Sequence, residues 1–533
     1  MIRRFSSFAA MVGAFAASVA VWAAPTHRVV VVVWDGMRPD FISPETTPNL
    51  SRLAGNGVFF AHHHPVYLSS TEVNGTTLAT GAWPAHSGVI ANDDFRPAID
   101  PQKVVAIQDP ATVRKGDEVS SGHYLERRTV AEILHSHGLR TAIAGAKQVA
   151  LLQDRSSRAN SPGVSAVLYQ GETLPGQIAP ALVQSYGPLP KVSERDDKIA
   201  RDEWTTRALT GELWKTEVPS YSLLWLSEPD CSQHATGPGS PQSLEAIKSS
   251  DNNLGLVLAE LERRGLRETT DVFVVSDHGF STISRKVDLA VELSKAGFQA
   301  KRVALGGLQR GEVMIVSEGG SSLFYVGGHD PEVIARLALF LQQQNWAGVV
   351  FSRVPLEGTF PLADVHIDSP AAPDLVLSLR WTRGKSATGV PGLQVSDLSP
   401  ASKKVGNHAS LSPYDLHNSL VAAGPDIRRG VTDTLPTANQ DVAPTILWLL
   451  GFKDDASKMD GRVLSEALTV EAPPLRSLDL KRLTARRGIG GGMWTQYLQV
   501  AEVNGVRYFD EGNGAYSDQS TVPAKDNLRG AAN

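Results

Sequence analysis

This sequence predicts an α/β fold with an open, mostly parallel central sheet flanked by helices, and three observations carry the prediction. The first is an unbroken apolar run, Arg28-Val-Val-Val-Val-Val-Trp34, which reads as a strand buried on both faces. The second is a recurrent alternation of short β-branched strands with amphipathic helices closed by glycine. The third is that acidic, histidine and hydroxyl residues gather just past the strand ends, where ligands bind in open parallel sheets.

In chain order, Asp35-Gly36 follows the first strand. Pro48 to Ala54 reads as a helix stopped by Gly55-Asn56-Gly57, and Val58 to Phe60 as a short strand. Thr71 to Thr80 reads as the start of a helix. Thr129 to His137 predicts an amphipathic helix closed by Gly138, and Thr141 to Ala144 a strand ending near Gly145, just before Lys147. Ser222 to Leu226 and Asp271 to Val275 are further strands. Between them, Ser240 to Arg264 aligns Ile247, Leu254, Val257, Leu258 and Leu261 on one helical face. Asp441 to Leu450 predicts a core helix with Pro444 in its first turn. Cap insertions are expected at about 93–126 and 148–202. Beyond Ala467 a basic, glycine-rich segment leads to Trp494–Phe509 around Asn504-Gly505, which predicts a C-terminal β-hairpin.

Composition bounds the function. Residues 1–23 read as a secretory signal peptide: Met-Ile-Arg-Arg, an Ala-rich apolar stretch, then Val21-Trp22-Ala23 as a small-residue cleavage pattern. An exported chain, periplasmic or secreted, is therefore expected, with no membrane span after cleavage. Residues 24–466 are expected to form the catalytic domain and 467–533 an extension. The single cysteine, Cys231, excludes an intrachain disulfide. A formal charge of −5 without a basic stripe argues against a nucleic-acid-binding surface and favours a small phosphoester substrate. Oligomeric state leaves no mark in the sequence.

Six candidate metal ligands stand at or after strand ends: Asp35, Asp230, His234, Asp277, His278 and His408. Carboxylates mixed with imidazoles, without thiolates, suit catalytic zinc. Asp230 and His234 have the i, i+4 spacing that converges on one ion, and Asp277-His278 follows a clean apolar strand. The set is large enough for two ions, which would clamp the attacking and departing oxygens of an in-line phosphoryl displacement. Thr71 would open a helix whose amides and dipole favour an oxyanion, making it the candidate nucleophile; Ser69, Ser70 and Thr71 acting only as helix caps is the plainer alternative.

With those residues in view, the chain resembles the type I phosphodiesterase/nucleotide pyrophosphatase family of the alkaline phosphatase superfamily over roughly residues 28–451. The motifs are Val33-Trp-Asp35-Gly36, Thr71 with Thr80-Gly81, His86-Ser-Gly88-Val-Ile-Ala-Asn92, Glu228-Pro-Asp230 through His234 and Gly237-Pro238, Ser276-Asp-His278-Gly279, and Gly406-Asn-His408. The resemblance implies an alkaline-phosphatase-like core and two Zn2+ ions. One would be held by Asp35, Asp277, His278 and Thr71, the other by Asp230, His234 and His408. It also implies that Asn92 binds a phosphate oxygen and that the reaction is a double displacement through a phosphothreonine.

The sequence departs from that family in places. Glu72 stands where nucleotide-cleaving members carry a base-stacking aromatic residue. Lys147 stands where threonine-dependent phosphomonoesterases and phosphonoacetate hydrolases of the superfamily place a substrate-binding lysine, but their second basic residue is replaced by Val149. Phosphodiester or pyrophosphate hydrolysis is thus the leading expectation, and a phosphomonoesterase or phosphonate hydrolase using Lys147 the alternative. Lys147 merely reaching solvent is also open. Ala409-Ser-Leu-Ser-Pro-Tyr-Asp415 replaces the usual His-Gly-Tyr-Asp continuation after His408, making His417 a fallback ligand. His62-His63-His64 is read as a solvated loop outside the site. A sulfatase, a phosphoglycerate mutase relative and an exported binding protein fit less well: the first needs a Cys or Ser in a modification motif, the second would use serine and stay in the cytoplasm, against the signal peptide, and the last predicts a broken ligand set.

Overall fold

The computed structural model describes residues 27–156, 165–475 and 477–518. The expected signal peptide at 1–23 lies outside the described residues, as does the end of the C-terminal extension. No helix among the described residues is long and apolar enough to cross a membrane.

The valine run forms the strand Arg28–Trp34 at the centre of a nine-stranded sheet. Its neighbours on the two sides are Thr270–Val275 and Tyr221–Leu226, both parallel to it. Thr141–Gly145 and then Ala166–Tyr169 continue the parallel order on the second side. Leu420–Ala423 pairs antiparallel with Thr270–Val275, so the sheet is mostly, not wholly, parallel. Val29, Val31 and Val33 enter one hydrophobic core and Val30, Val32 and Trp34 the other, as a strand covered by helices on both faces requires.

Register sets the position of the chemistry. Val33 lies opposite both Val275 and Trp225, and Gly145 opposite Trp225. Asp35, Asp277 and Lys147, each about two residues further on, therefore emerge at the same carboxyl edge. The expected helices are present: Pro48–Gly55, Thr71–Thr80, Pro241–Arg263 and Val442–Leu449. The helix at Val130–Ser136 is opened by a capping box in which Thr129 and Glu132 satisfy each other's backbone N–H groups.

Three features differ from the sequence reading or extend it. The 148–202 segment, expected as a cap insertion, gives two strands to the edge of the central sheet, Ala166–Tyr169 and Glu172–Leu174. Residues 281–407 build further sheets of four and six strands, most of them short and antiparallel. The C-terminal hairpin around Asn504-Gly505 is the second half of a three-stranded antiparallel sheet, Leu478–Ile489, Gly492–Val503 and Val506–Asp518. Its first turn, at Gly490-Gly491, has positive φ at both glycines, as a tight two-residue hairpin demands. This sheet docks on the 281–407 region: Gln496 exchanges hydrogen bonds of 2.8 and 3.1 Å with the backbone of Val350, and the Trp494 indole donates to the Gly358 carbonyl at 3.0 Å.

Candidate active site

Helix Thr71–Thr80 is buried along its whole length. Gly75 makes that possible, because a Cβ there would stand 2.5 Å from Val149 Cγ2 and 3.1 Å from Trp225 Cη2. Asn74 fixes the approach to the helix: its side-chain oxygen accepts from Val66 N–H at 2.8 Å, and its amide donates to the Leu68 and Ser70 carbonyls at 3.0 and 3.1 Å. Ser70 occupies the N-cap position without making a side-chain cap hydrogen bond, and the Ser69 hydroxyl turns away to the Ser410 carbonyl at 3.1 Å. The plain capping role is therefore not what these hydroxyls perform. Thr71 Oγ1 instead faces His278 Nε2 at 3.3 Å.

Two three-residue groups capable of holding a metal ion lie beside Thr71: Asp35, Asp277 and His278, and Asp230, His234 and His408. The histidines of both groups are oriented alike. His278 Nδ1 lies 2.8 Å from the Gly279 carbonyl, His234 Nδ1 3.0 Å from that of Gly406, and His408 Nδ1 3.0 Å from that of Ser69. A carbonyl can only accept, so each Nδ1 carries the proton and each Nε2 presents a lone pair to its cluster. The rings of His278 and His408 stack at 3.8 Å, which sets the two groups side by side.

The carboxylates are held just as firmly. Asp277 Oδ1 accepts from the N–H groups of Gly36 and His278, both at 3.0 Å, and Asp35 Oδ2 accepts from the Trp225 indole at 2.8 Å. One oxygen of each acid is then left over. Asp35 Oδ1, Asp277 Oδ2 and Asp230 Oδ1 are buried and have no hydrogen-bond partner among the described residues. Buried unpaired carboxylate oxygens are costly, and a divalent cation is the partner such a set fits. The carboxyl of Asp35 is pushed upward by burial first and then by the neighbouring Asp277 charge, the penalty that a cation in that group removes.

Lys147 does not reach out into solvent. Its side chain is 16 % exposed and its ammonium lies 2.9 Å from Asp35 Oδ2 and 2.8 Å from Asp230 Oδ2, bridging the two groups. Burial opposes its charge, but the Asp230 and Asp35 carboxylates outweigh this and hold its pKa well above the ordinary lysine value. The same lysine keeps Asp230 ionised against its own burial.

Asn92 Oδ1 accepts from the backbone N–H of Glu72 at 2.9 Å. With its oxygen engaged, the amide offers only N–H groups to the cleft. That cleft, about 350 Å³, is lined by Thr71, Glu72, Asn92, Lys147, Asp230, His234 and His408. Among the lining residues that escaped the sequence reading are Lys198, Lys404 and Glu318. Glu318 fixes the Asn92 segment by accepting from the backbone N–H groups of Asn92 and Asp93 at 2.9 and 3.0 Å. Lys404, four residues before His408, could have been found as a basic residue beside a ligand motif. Glu318 carries no such signal.

Two expectations need correction. His417 joins neither group; its Nε2 lies 2.9 Å from Asp510 Oδ1 on the C-terminal sheet. The His62-His63-His64 run is not a solvated loop, because His63 and His64 are 1 % and 2 % exposed. They form a short strand paired with Thr437–Ala438, and His63 bonds the Thr437 hydroxyl at 2.9 Å and Asn439 Oδ1 at 3.0 Å. These long-range hydrogen-bond partners offset the burial of the rings.

A family model described as type I phosphodiesterase / nucleotide pyrophosphatase matches residues 29–383. Ectonucleotide pyrophosphatase/phosphodiesterase family member 7 of Rattus norvegicus is 24 % identical over 273 residues, covering 50 % of this chain and 53 % of that protein. Bis(5'-adenosyl)-triphosphatase enpp4 of Mus musculus is 22 % identical over 267 residues, covering 49 % of each. The chain thus spans about half the length of the curated relatives it matches. Among solved structures, human ectonucleotide pyrophosphatase / phosphodiesterase 5 superposes with a TM-score of 0.57 at 18 % identity, over 83 % of this chain and all of the other, and shows the same alkaline-phosphatase-like fold.

Proposed function

Because this chain belongs to the type I phosphodiesterase / nucleotide pyrophosphatase family, we propose that it hydrolyses phosphodiester or pyrophosphate bonds with Thr71 as nucleophile and two zinc ions as cofactors. The observation that carries this reading is the pair of Asp/His groups flanking Thr71, each with oriented Nε2 atoms and an unpaired buried carboxylate oxygen. Asp35, Asp277 and His278 with Thr71 would hold one ion, and Asp230, His234 and His408 the other. Bound there, the ions supply Lewis acidity that lowers the hydroxyl pKa of Thr71 and offsets charge on the attacking and leaving oxygens.

The chain's own groups do the rest. Thr71, at the first turn of a buried helix, attacks phosphorus in line while the leaving alcohol or phosphate departs on the far side; water then cleaves the phosphothreonine ester and restores the hydroxyl. The Asn92 amide donates to a non-bridging oxygen, and its orientation by Glu72 N–H and Glu318 fixes that donor in advance. Asn92→Ala is expected to lower kcat roughly 10²-fold with a smaller change in KM, measured by steady-state kinetics.

A second reading, a phosphomonoesterase or phosphonate hydrolase, draws its support from Lys147, whose charge lies between the two groups where a doubly charged phosphate would be met. One comparison separates the readings: bis-p-nitrophenyl phosphate against p-nitrophenyl phosphate, with added zinc and after chelation. The proposal expects preference for the diester, loss of activity in chelator and recovery with zinc. In Lys147→Met the diester preference should persist or grow. Monoester preference that collapses in Lys147→Met would transfer the assignment to the second reading, and zinc-independent hydrolysis would overturn both. Export to the periplasm or the extracellular space belongs to the same proposal.

A further inference from the structure

We propose that His64, His417 and Asp510 form an additional metal site, for a zinc-class divalent transition ion, that fastens the C-terminal sheet to the catalytic domain. Their ligand atoms lie within 4.8 Å of one another. The three residues come from separate parts of the chain: His64 from the short strand His63–His64, His417 from the end of helix Pro413–Leu416, and Asp510 from the strand Val506–Asp518.

His64 supplies the decisive observation. Its Nδ1 lies 3.0 Å from the Thr437 carbonyl, which can only accept, so Nε2 carries the lone pair. That Nε2 is buried, has no hydrogen-bond partner among the described residues, and points at Asp510 Oδ1 from 3.8 Å. A bare His417–Asp510 ion pair at 2.9 Å would leave this nitrogen unexplained. A cation bound by both imidazoles and the carboxylate satisfies all three residues at once.

The surroundings suit an ion. Gln499 donates to Asp510 Oδ2 at 3.1 Å, leaving Oδ1 turned toward the histidines. The His64 and His417 rings meet edge to face with centroids 4.7 Å apart. Asp510 and His417 side chains are 42 % and 27 % exposed, which gives an ion a route from solvent. A cavity of about 460 Å³, lined by His62 as well as His64 and Asp510, leaves room for a fourth ligand. Two imidazoles and one carboxylate, with no thiolate, select zinc-class ions over calcium or magnesium.

Zinc content of the full-length protein, equilibrated at one buffered free-zinc concentration, tests the proposal. Wild type is expected to hold one ion per chain more than His417→Gln, while hydrolysis is unchanged because His417 lies outside the Thr71 cleft. Should His417→Gln fail to fold, anomalous scattering at the zinc edge from wild-type crystals soaked in zinc decides the matter, with a peak expected among the three residues. Equal zinc content in a folded variant, or no peak there while zinc is present elsewhere in the crystal, would overturn the site; the peak can be read whether or not the Thr71 cleft proves catalytic. Proteolysis tests the fastening role: zinc should protect the Val506–Asp518 strand in wild type but not in Asp510→Asn, and equal cleavage with and without zinc would refute it.

Discussion

Thr71→Ala is expected to lower turnover of a phosphodiester by at least roughly 10³-fold, the scale seen when an essential nucleophile is removed from an otherwise complete site. The substitution removes the proposed attacking oxygen, which is also one proposed metal ligand, but leaves the Asp and His side chains of both groups and Asn92 in place. It should also leave the fold intact, because among the described residues the hydroxyl's side-chain hydrogen bond is to His278 Nε2 at 3.3 Å, and the helix start is secured by Asn74. Equal circular dichroism and thermal midpoints, alongside the kinetic loss, would assign the effect to chemistry. Substrate affinity should survive, so the variant is expected to bind a diester that it does not cleave, measurable by calorimetry.

Asp277→Asn is expected to be comparably severe and to act through the metal. The amide keeps the shape of the carboxylate, and its oxygen can still accept from Gly36 and His278, both bonded to Asp277 Oδ1 at 3.0 Å in wild type. What it loses is the charge and the second oxygen, which lies buried and unpaired within the Asp35–Asp277–His278 group. Zinc bound per chain should fall by one ion, and kcat should drop on the order of 10³-fold, only partly recovered by excess zinc. Because removing a buried negative charge relieves repulsion with Asp35, the metal-free variant should unfold at a higher temperature than metal-free wild type. A variant that kept both its zinc and its activity would remove Asp277 from the proposed ligand set.

Much of this architecture is legible in the sequence, for identifiable reasons. Strands buried on both faces need continuous apolar runs, so Arg28–Trp34, Tyr221–Leu226 and Thr270–Val275 declare themselves, and the residues that follow them reach a common edge by register alone. The sheets of residues 281–407 do not declare themselves. Ser281–Val287, for example, mixes buried and exposed positions without strict alternation, and its pairing with Pro391–Asp397 shifts register between Ile283 and Arg285.

Contacts across long sequence separations are equally silent. The burial of His63 depends on Thr437 and Asn439, more than 370 positions away, and the role of Glu318 on Asn92, 226 positions before it. The same limit applies to Lys147. Its place after a strand is visible in the sequence, but its bridge between Asp35 and Asp230 depends on where three strands end in space.

The most direct test of the central claim is acid quenching of the protein during turnover of a diester, followed by peptide mass spectrometry. The account predicts a phosphoryl adduct, still carrying the retained ester group, on Thr71 and on no other hydroxyl, formed in the presence of zinc and lost in chelator. An adduct on a different residue, or turnover without any adduct when hydrolysis of the intermediate is made rate-limiting, would contradict it.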